Sequence, residues 1–142
     1  MKKIVFVMML LFGMMGFPAG TTYESTLIKK MEVLEAKMQP ALDSGVTSEM
    51  INASVKLSEA WDVEINKVYK LIMEKLPEKE KTKLRNDQRN WVKEKEKKAK
   101  EAGKEFEGGT GESLMYSQTE LTLTKKRTLE LAKHYDKLNG KK

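Results

Sequence analysis

The residue types that most often carry chemistry are scarce in this chain. It holds one histidine, His134, and no cysteine among its 142 residues. A serine–histidine–aspartate relay needs a histidine beside a nucleophile, and a zinc or copper centre needs several His or Cys ligands. Thiol catalysis, disulfides and two-histidine metal motifs are therefore excluded. His134 falls near the end of the last apolar-periodic segment, where a cation meets the negative end of a helix, and reads as a surface residue. Carboxylates are plentiful, but they alternate with lysine, as in EKEKTK and KEKEKK, and no convergent pair of glycosidase type stands out. The ten methionines, several of them near the start, read as core filler rather than a metal series. The expectation is a protein without catalytic residues, metal or cofactor.

Two groups of residues remain as candidate sites. Gly108, Gly109, Thr110 and Gly111 sit in EGGTGES, where three glycines in four residues are hostile to a helix. No Lys-Ser or Lys-Thr follows and no strand precedes, so a phosphate cradle is excluded. The stretch reads as a helix connector, with insertion into a partner's cleft as the functional alternative. The second group is polar. Asp62, Asn66 and Tyr69 share one helical side, and Gln88, Arg89 and Arg127 could meet them across a bundle. Such a set is either a recognition patch or a network that fixes helix register. The second reading is preferred, because buried polar networks commonly specify packing.

The elements that must position these residues are helical. Only three prolines and nine glycines interrupt stretches rich in Lys, Glu, Leu, Met and Ala. Apolar residues recur at steps of three and four through four segments. The first spans about Tyr23 to Met38 and ends or kinks at Pro40. The second starts at Thr47 or Ser48 as N-cap and runs to Leu76, with Met50, Ser54, Leu57, Trp61, Ile65, Val68, Ile72 and Leu76 facing inward. Twenty-nine residues of helix measure about 43 Å, which demands an equally long partner. Pro77 suits the first turn of a third helix reaching about Phe106, with Leu84, Gln88, Trp91, Lys95, Ala99, Ala102 and Phe106 inward. Trp61 and Trp91 lie sixteen and fourteen residues from Pro77, so a reversal there brings both indoles to one level as core anchors in one cluster. The fourth helix runs from about Glu112 to Leu138, with Leu114, Leu121, Thr124, Thr128, Leu131, Tyr135 and Leu138 facing inward. The expected architecture is an all-α bundle of three long helices with a shorter N-terminal helix, one domain over residues 21–142.

Residues 1–20 have the three parts of a secretory signal peptide: Lys2 and Lys3, an apolar run from Ile4 to Phe17, and the Pro and small-residue exit FPAGT. Fourteen residues fall short of the roughly 20 that span a bilayer, so export to the periplasm or medium is expected, with no transmembrane helix in the mature form. Removing Lys2 and Lys3 takes the formal charge from +6 to +4. What remains is uneven: Thr21 to Leu76 nets −2, Pro77 to Glu107 +3, and Gly108 to Lys142 +3. Glutamates interleave with the lysines of the third helix and its aromatics face inward, so nucleic acid is not an expected partner. An anionic envelope surface or an acidic protein face is.

From Thr47 onward the chain resembles the LprI-type lysozyme inhibitor N-terminal domain family. The resemblance rests on Asp62, Ile65, Asn66 and Tyr69 in WDVEINKVY, on Leu76 and Pro77, and on LRNDQRNWV from Leu84 to Val92. Gly108, Gly109 and LTKKRTLEL from Leu123 to Leu131 complete it, over about residues 47–131. It implies a small exported helical module that masks a protein partner, a lysozyme-type muramidase above all, without being an enzyme. The family usually carries cysteines at positions that fall here on Ser54, Ala99 and Thr119, so its disulfides are absent from this chain. An envelope adaptor that binds another protein or anionic lipid is the alternative reading.

Overall fold

The computed structural model describes residues 20–141, and the expected signal peptide lies outside them except for Gly20. Four helices follow one another: α1 (Tyr23–Leu42), α2 (Thr47–Lys75), α3 (Glu78–Lys104) and α4 (Thr110–Leu138). The all-α expectation holds, with α1 the short member.

The helix ends differ from expectation for local reasons. α1 continues through Pro40 to Leu42, because a proline in the last turn forfeits a single backbone bond, and the N–H of Asp43 closes the end on Gln39 O at 3.0 Å. Thr47 is the first residue of α2 rather than its cap. Val46 holds the cap position and supplies no side-chain bond. At the next junction Leu76 and Pro77 are both extended, with ψ of 144° and 159°, and the Pro77 carbonyl accepts the N–H groups of Glu80 and Lys81 at 3.0 Å. α4 begins at Thr110, two residues ahead of Glu112, and takes Gly111 into its first turn.

α4 is the central helix. Lys125 lies over the Trp61 ring and Lys75 over the Tyr135 ring, so α2 and α4 run parallel. Contacts of Glu35 with Lys125, and of Tyr23 with Asp136, set α1 antiparallel to both. Gln88 with Arg127, and Lys95 with Glu120, set α3 antiparallel to α4. The α2–α4 seam is built from small residues, with Ala53, Ser54 and Ser58 buried on α2 and Ser117, Thr124, Thr128 and Ala132 on α4. Small side chains let two long helices approach closely. The apolar centre joins Leu27 and Met31 of α1 to Trp61, Ile65, Val68 and Ile72 of α2, with Leu84 of α3 and Leu131 of α4.

The expected hairpin of the second and third helices is corrected here. α3 packs along α4 and makes no extensive contact with α1 or α2. The apolar arc of α2 is already covered by α1 and α4. α3 itself buries only Leu84, Ala99 and Gly103, which is enough for one neighbour. Both indoles do reach one level: Trp61 sits beside Lys125, and Trp91 lies between the Gln88–Arg127 and Lys95–Glu120 contacts. Trp61 is buried in the core cluster and Trp91, half-buried, packs against it. Among the described residues no ring contact joins the two indoles. Trp61 donates its Nε1–H to Glu35 at 3.3 Å, and Trp91 lies under Lys95 at 5.2 Å. Phe106 and Leu138, expected inward, are exposed, because α3 ends at Lys104 and Leu138 is the final residue of α4.

Candidate functional site

The six polar residues do not close into one network. Arg127 donates its Nε–H to Gln88 Oε1 at 3.1 Å and lies 3.5 Å from Glu130. Asn66 and Arg89 are exposed, and Asp62 is half-buried. Among the described residues none of these three makes a hydrogen bond or ion pair. Tyr69 packs against the core cluster. Of the expected network only the Gln88–Arg127 contact is present, and the separation has a physical cause: with α4 as its partner, α3 is not held against the side of α2 that carries Asp62 and Asn66. Arg127 also rims a groove of about 380 Å³ lined by Leu76, Leu84, Leu131 and His134, and among the described residues no group of three or more His, Cys, Asp or Glu side chains is placed to hold a metal ion.

The glycine stretch is a tight connector. Gly108 takes φ +85°, a left-handed conformation that favours glycine. Gly109 occupies the cap position, while Thr110 and Gly111 open α4. A Cβ on Gly111 would come within 3.1 Å of the Phe106 ring, and one on Gly103 within 3.1 Å of the Glu112 carbonyl oxygen. The glycines thus let the two helix ends close on each other. Gly108, Gly109 and Thr110 remain exposed at that end of the bundle.

Two charge clusters consume carboxylates of the first half. Glu64, whose side chain is 7% exposed, is paired with Lys30 and, at 3.2 Å, with Lys67. Burial opposes its ionisation, but the hydrogen bonds and charges of the two ammonium groups outweigh that and hold the carboxyl below its ordinary range. Glu35 accepts from Lys125 at 2.7 Å as well as from Trp61. Both clusters tie α1 onto the bundle.

Beyond them lies a row that the apolar periodicity did not single out. Val55, Glu59, Asp62 and Asn66 follow one another on α2 at steps of 4, 3 and 4, and so share one side of the helix. Val55 is 41% exposed, and Val63 beside the row is 51% exposed. No hydrogen bond or ion pair engages Glu59, Asp62 or Asn66 among the described residues. The helical phase of the polar residues was the available signal, one strip away from the buried stripe.

The family described as lysozyme inhibitor LprI matches residues 38–131. The chain belongs to the LprI family. No curated protein and no solved structure gives a match. The LprI segment takes in the end of α1, all of α2 and α3, and α4 as far as Leu131. Its start lies nine residues ahead of the expected Thr47. Ser54 and Ala99 are fully buried and Thr119 is half-buried. This LprI chain has no cysteine, so no disulfide ties its helices. Among the described residues, no helix is long and apolar enough to cross a membrane.

Proposed function

We propose that this chain is an exported, non-enzymatic binding protein that masks the surface of a lysozyme-type muramidase. Family membership supports the class of partner, and the N-terminal apolar run with its FPAGT exit supports export. The observation that carries the choice of surface is the α2 row, in which exposed Val55 and Val63 lie beside the unpaired carboxylates of Glu59 and Asp62. Interfaces combine an apolar centre with charges complementary to the partner.

Charge placement removes an objection to this reading. Animal-type lysozymes are basic, and a chain netting +4 after loss of Lys2 and Lys3 would repel them if its charge were uniform. The net −2 segment forms α1 and α2, while α3, from the +3 segment, packs on α4. A basic muramidase approaching α2 therefore meets the acidic half first.

Inhibition of muramidase lysis of bacterial cell walls, followed by turbidity at low and physiological salt, tests the reading. The E59K/D62K variant is expected to lose inhibition by about tenfold or more with its melting temperature kept. Two results refute the proposed surface: full inhibition by that variant, or loss of inhibition only when Gly109 and Thr110 are replaced. Absence of inhibition by the wild type at both salt levels refutes the function.

A further inference from the structure

A second surface points to a different kind of partner. Asn86, Asn90, Lys93, Lys97, Lys100 and Lys104 follow one another on α3 at steps of 4, 3, 4, 3 and 4, and all six are exposed. The row lies opposite Leu84, the residue that α3 buries in the core cluster. It runs for about 27 Å along the helix. Glu96 and Glu101 border the row and line the same surface as Lys93, Lys97, Lys100 and Lys104, which leaves four lysines against two glutamates. Glu96 is held by Lys100 at 2.7 Å, and Asp87 lines the groove against α4. Lys93, Lys97 and Lys104 have no carboxylate within ion-pair distance among the described residues.

We infer that this outer face of α3 docks on an anionic lipid bilayer. The shape selects a plane. α3 packs on α4 without extensive contact to α1 or α2, so its far side is an outermost ridge that a flat surface can meet along the whole row. The charge selects the sign, since rows of lysine near a negatively charged leaflet gain affinity with each ammonium, and salt weakens the attraction. Docked in this way, α3 lies on the bilayer and the acidic row of α2 remains available. This inference is independent of muramidase binding.

Vesicle co-sedimentation of the full chain tests it, using phosphatidylcholine alone and phosphatidylcholine doped with phosphatidylglycerol. The pure phosphatidylcholine arm sets the baseline contributed by the apolar N-terminal run. The K93Q/K97Q/K104Q variant is expected to lose the anionic-lipid increment by about tenfold or more, with its helicity unchanged. Two controls are expected to stay within about twofold of wild type: K93R/K97R/K104R, which keeps the charge, and K29Q/K37Q/K56Q, which removes three exposed, unpaired lysines of α1 and α2. Equal losses in the two glutamine variants would show an effect of net charge alone and overturn the assignment. So would a row variant that keeps vesicle binding and loses only capture by soluble polyphosphate, since the row would then read a polymer.

Discussion

Asp136 near the end of α4 caps the first turn of α1: its carboxylate accepts the backbone N–H of Tyr23 at 2.7 Å and that of Glu24 at 3.0 Å. The side chain is buried, and the positive end of α1 offsets part of the cost of holding a carboxylate there. Thr22 and Ser25 complete a capping box on the same turn, and Lys141 donates to Thr21 O at 3.0 Å. The two ends of the described chain are thus pinned to each other. Replacing Asp136 by Asn removes the charge and one acceptor, and is expected to destabilise by about 1–2 kcal/mol. Hydrogen exchange should accelerate first at the Tyr23 and Glu24 amides. Unchanged protection there would show that the capping box suffices alone.

Tyr23 is the group whose environment matters most at high pH. Burial first, and then the charges of Glu64, Tyr135 and Asp136, push its hydroxyl from 10.0 up to about 12. Between these values the unfolded chain has released the proton and the folded chain retains it, so stability is full below pH 10 and is lost as pH rises towards 12. Thermal melts across that window should fall less steeply for Tyr23→Phe than for wild type. Parallel slopes would mean that the proton is lost equally from both states.

Glu64 acts at the opposite end of the scale. Its carboxyl is held below the ordinary 4.5 by Lys30 and Lys67, so its contribution is complete above that value and fades as pH falls below it. Glu64→Gln is expected to cost about 1–2 kcal/mol at neutral pH, a figure discounted because both lysines are more than half exposed. The gap between wild type and variant in urea unfolding should narrow as pH drops below 4.5. A constant gap would locate the effect in packing.

The two tryptophans should differ. Trp61 is 1% exposed with its indole N–H satisfied by Glu35, whereas Trp91 is half-buried on a helix with one neighbour. Trp61→Ala is expected to destabilise by about 3–5 kcal/mol and Trp91→Ala by roughly half as much. Urea titrations that rank them the other way would contradict the central position of α4.

Thr124, fully buried in the α2–α4 seam, has a hydroxyl with no hydrogen-bond partner. A buried unpaired hydroxyl costs free energy that an isosteric methyl does not. Thr124→Val is expected to raise stability by about 1 kcal/mol, read as an upward shift of the melting temperature. A lower melting temperature would mean that the hydroxyl is satisfied in solution.

Much of this architecture was legible in the chain itself. Leu57, Trp61, Ile65, Val68 and Ile72 are buried as their three-and-four spacing requires, because a helix presents such positions to one side whatever covers them. Family membership was legible too, through WDVEINKVY, LRNDQRNWV and LTKKRTLEL. Periodicity says which face of a helix is buried, but not which helix buries it. The pairing of α3 with α4, the separation of Asp62 and Asn66 from Gln88 and Arg127, and the different surroundings of Trp61 and Trp91 all follow from that choice. The cap from Asp136 to Tyr23 links residues 113 apart, a contact without a local signature. Local spacing is set by backbone geometry and survives in the one-dimensional order. The choice of neighbour depends on how small residues such as Ala53, Ser54, Thr124 and Thr128 let two rods approach, and that was settled only when the whole bundle closed.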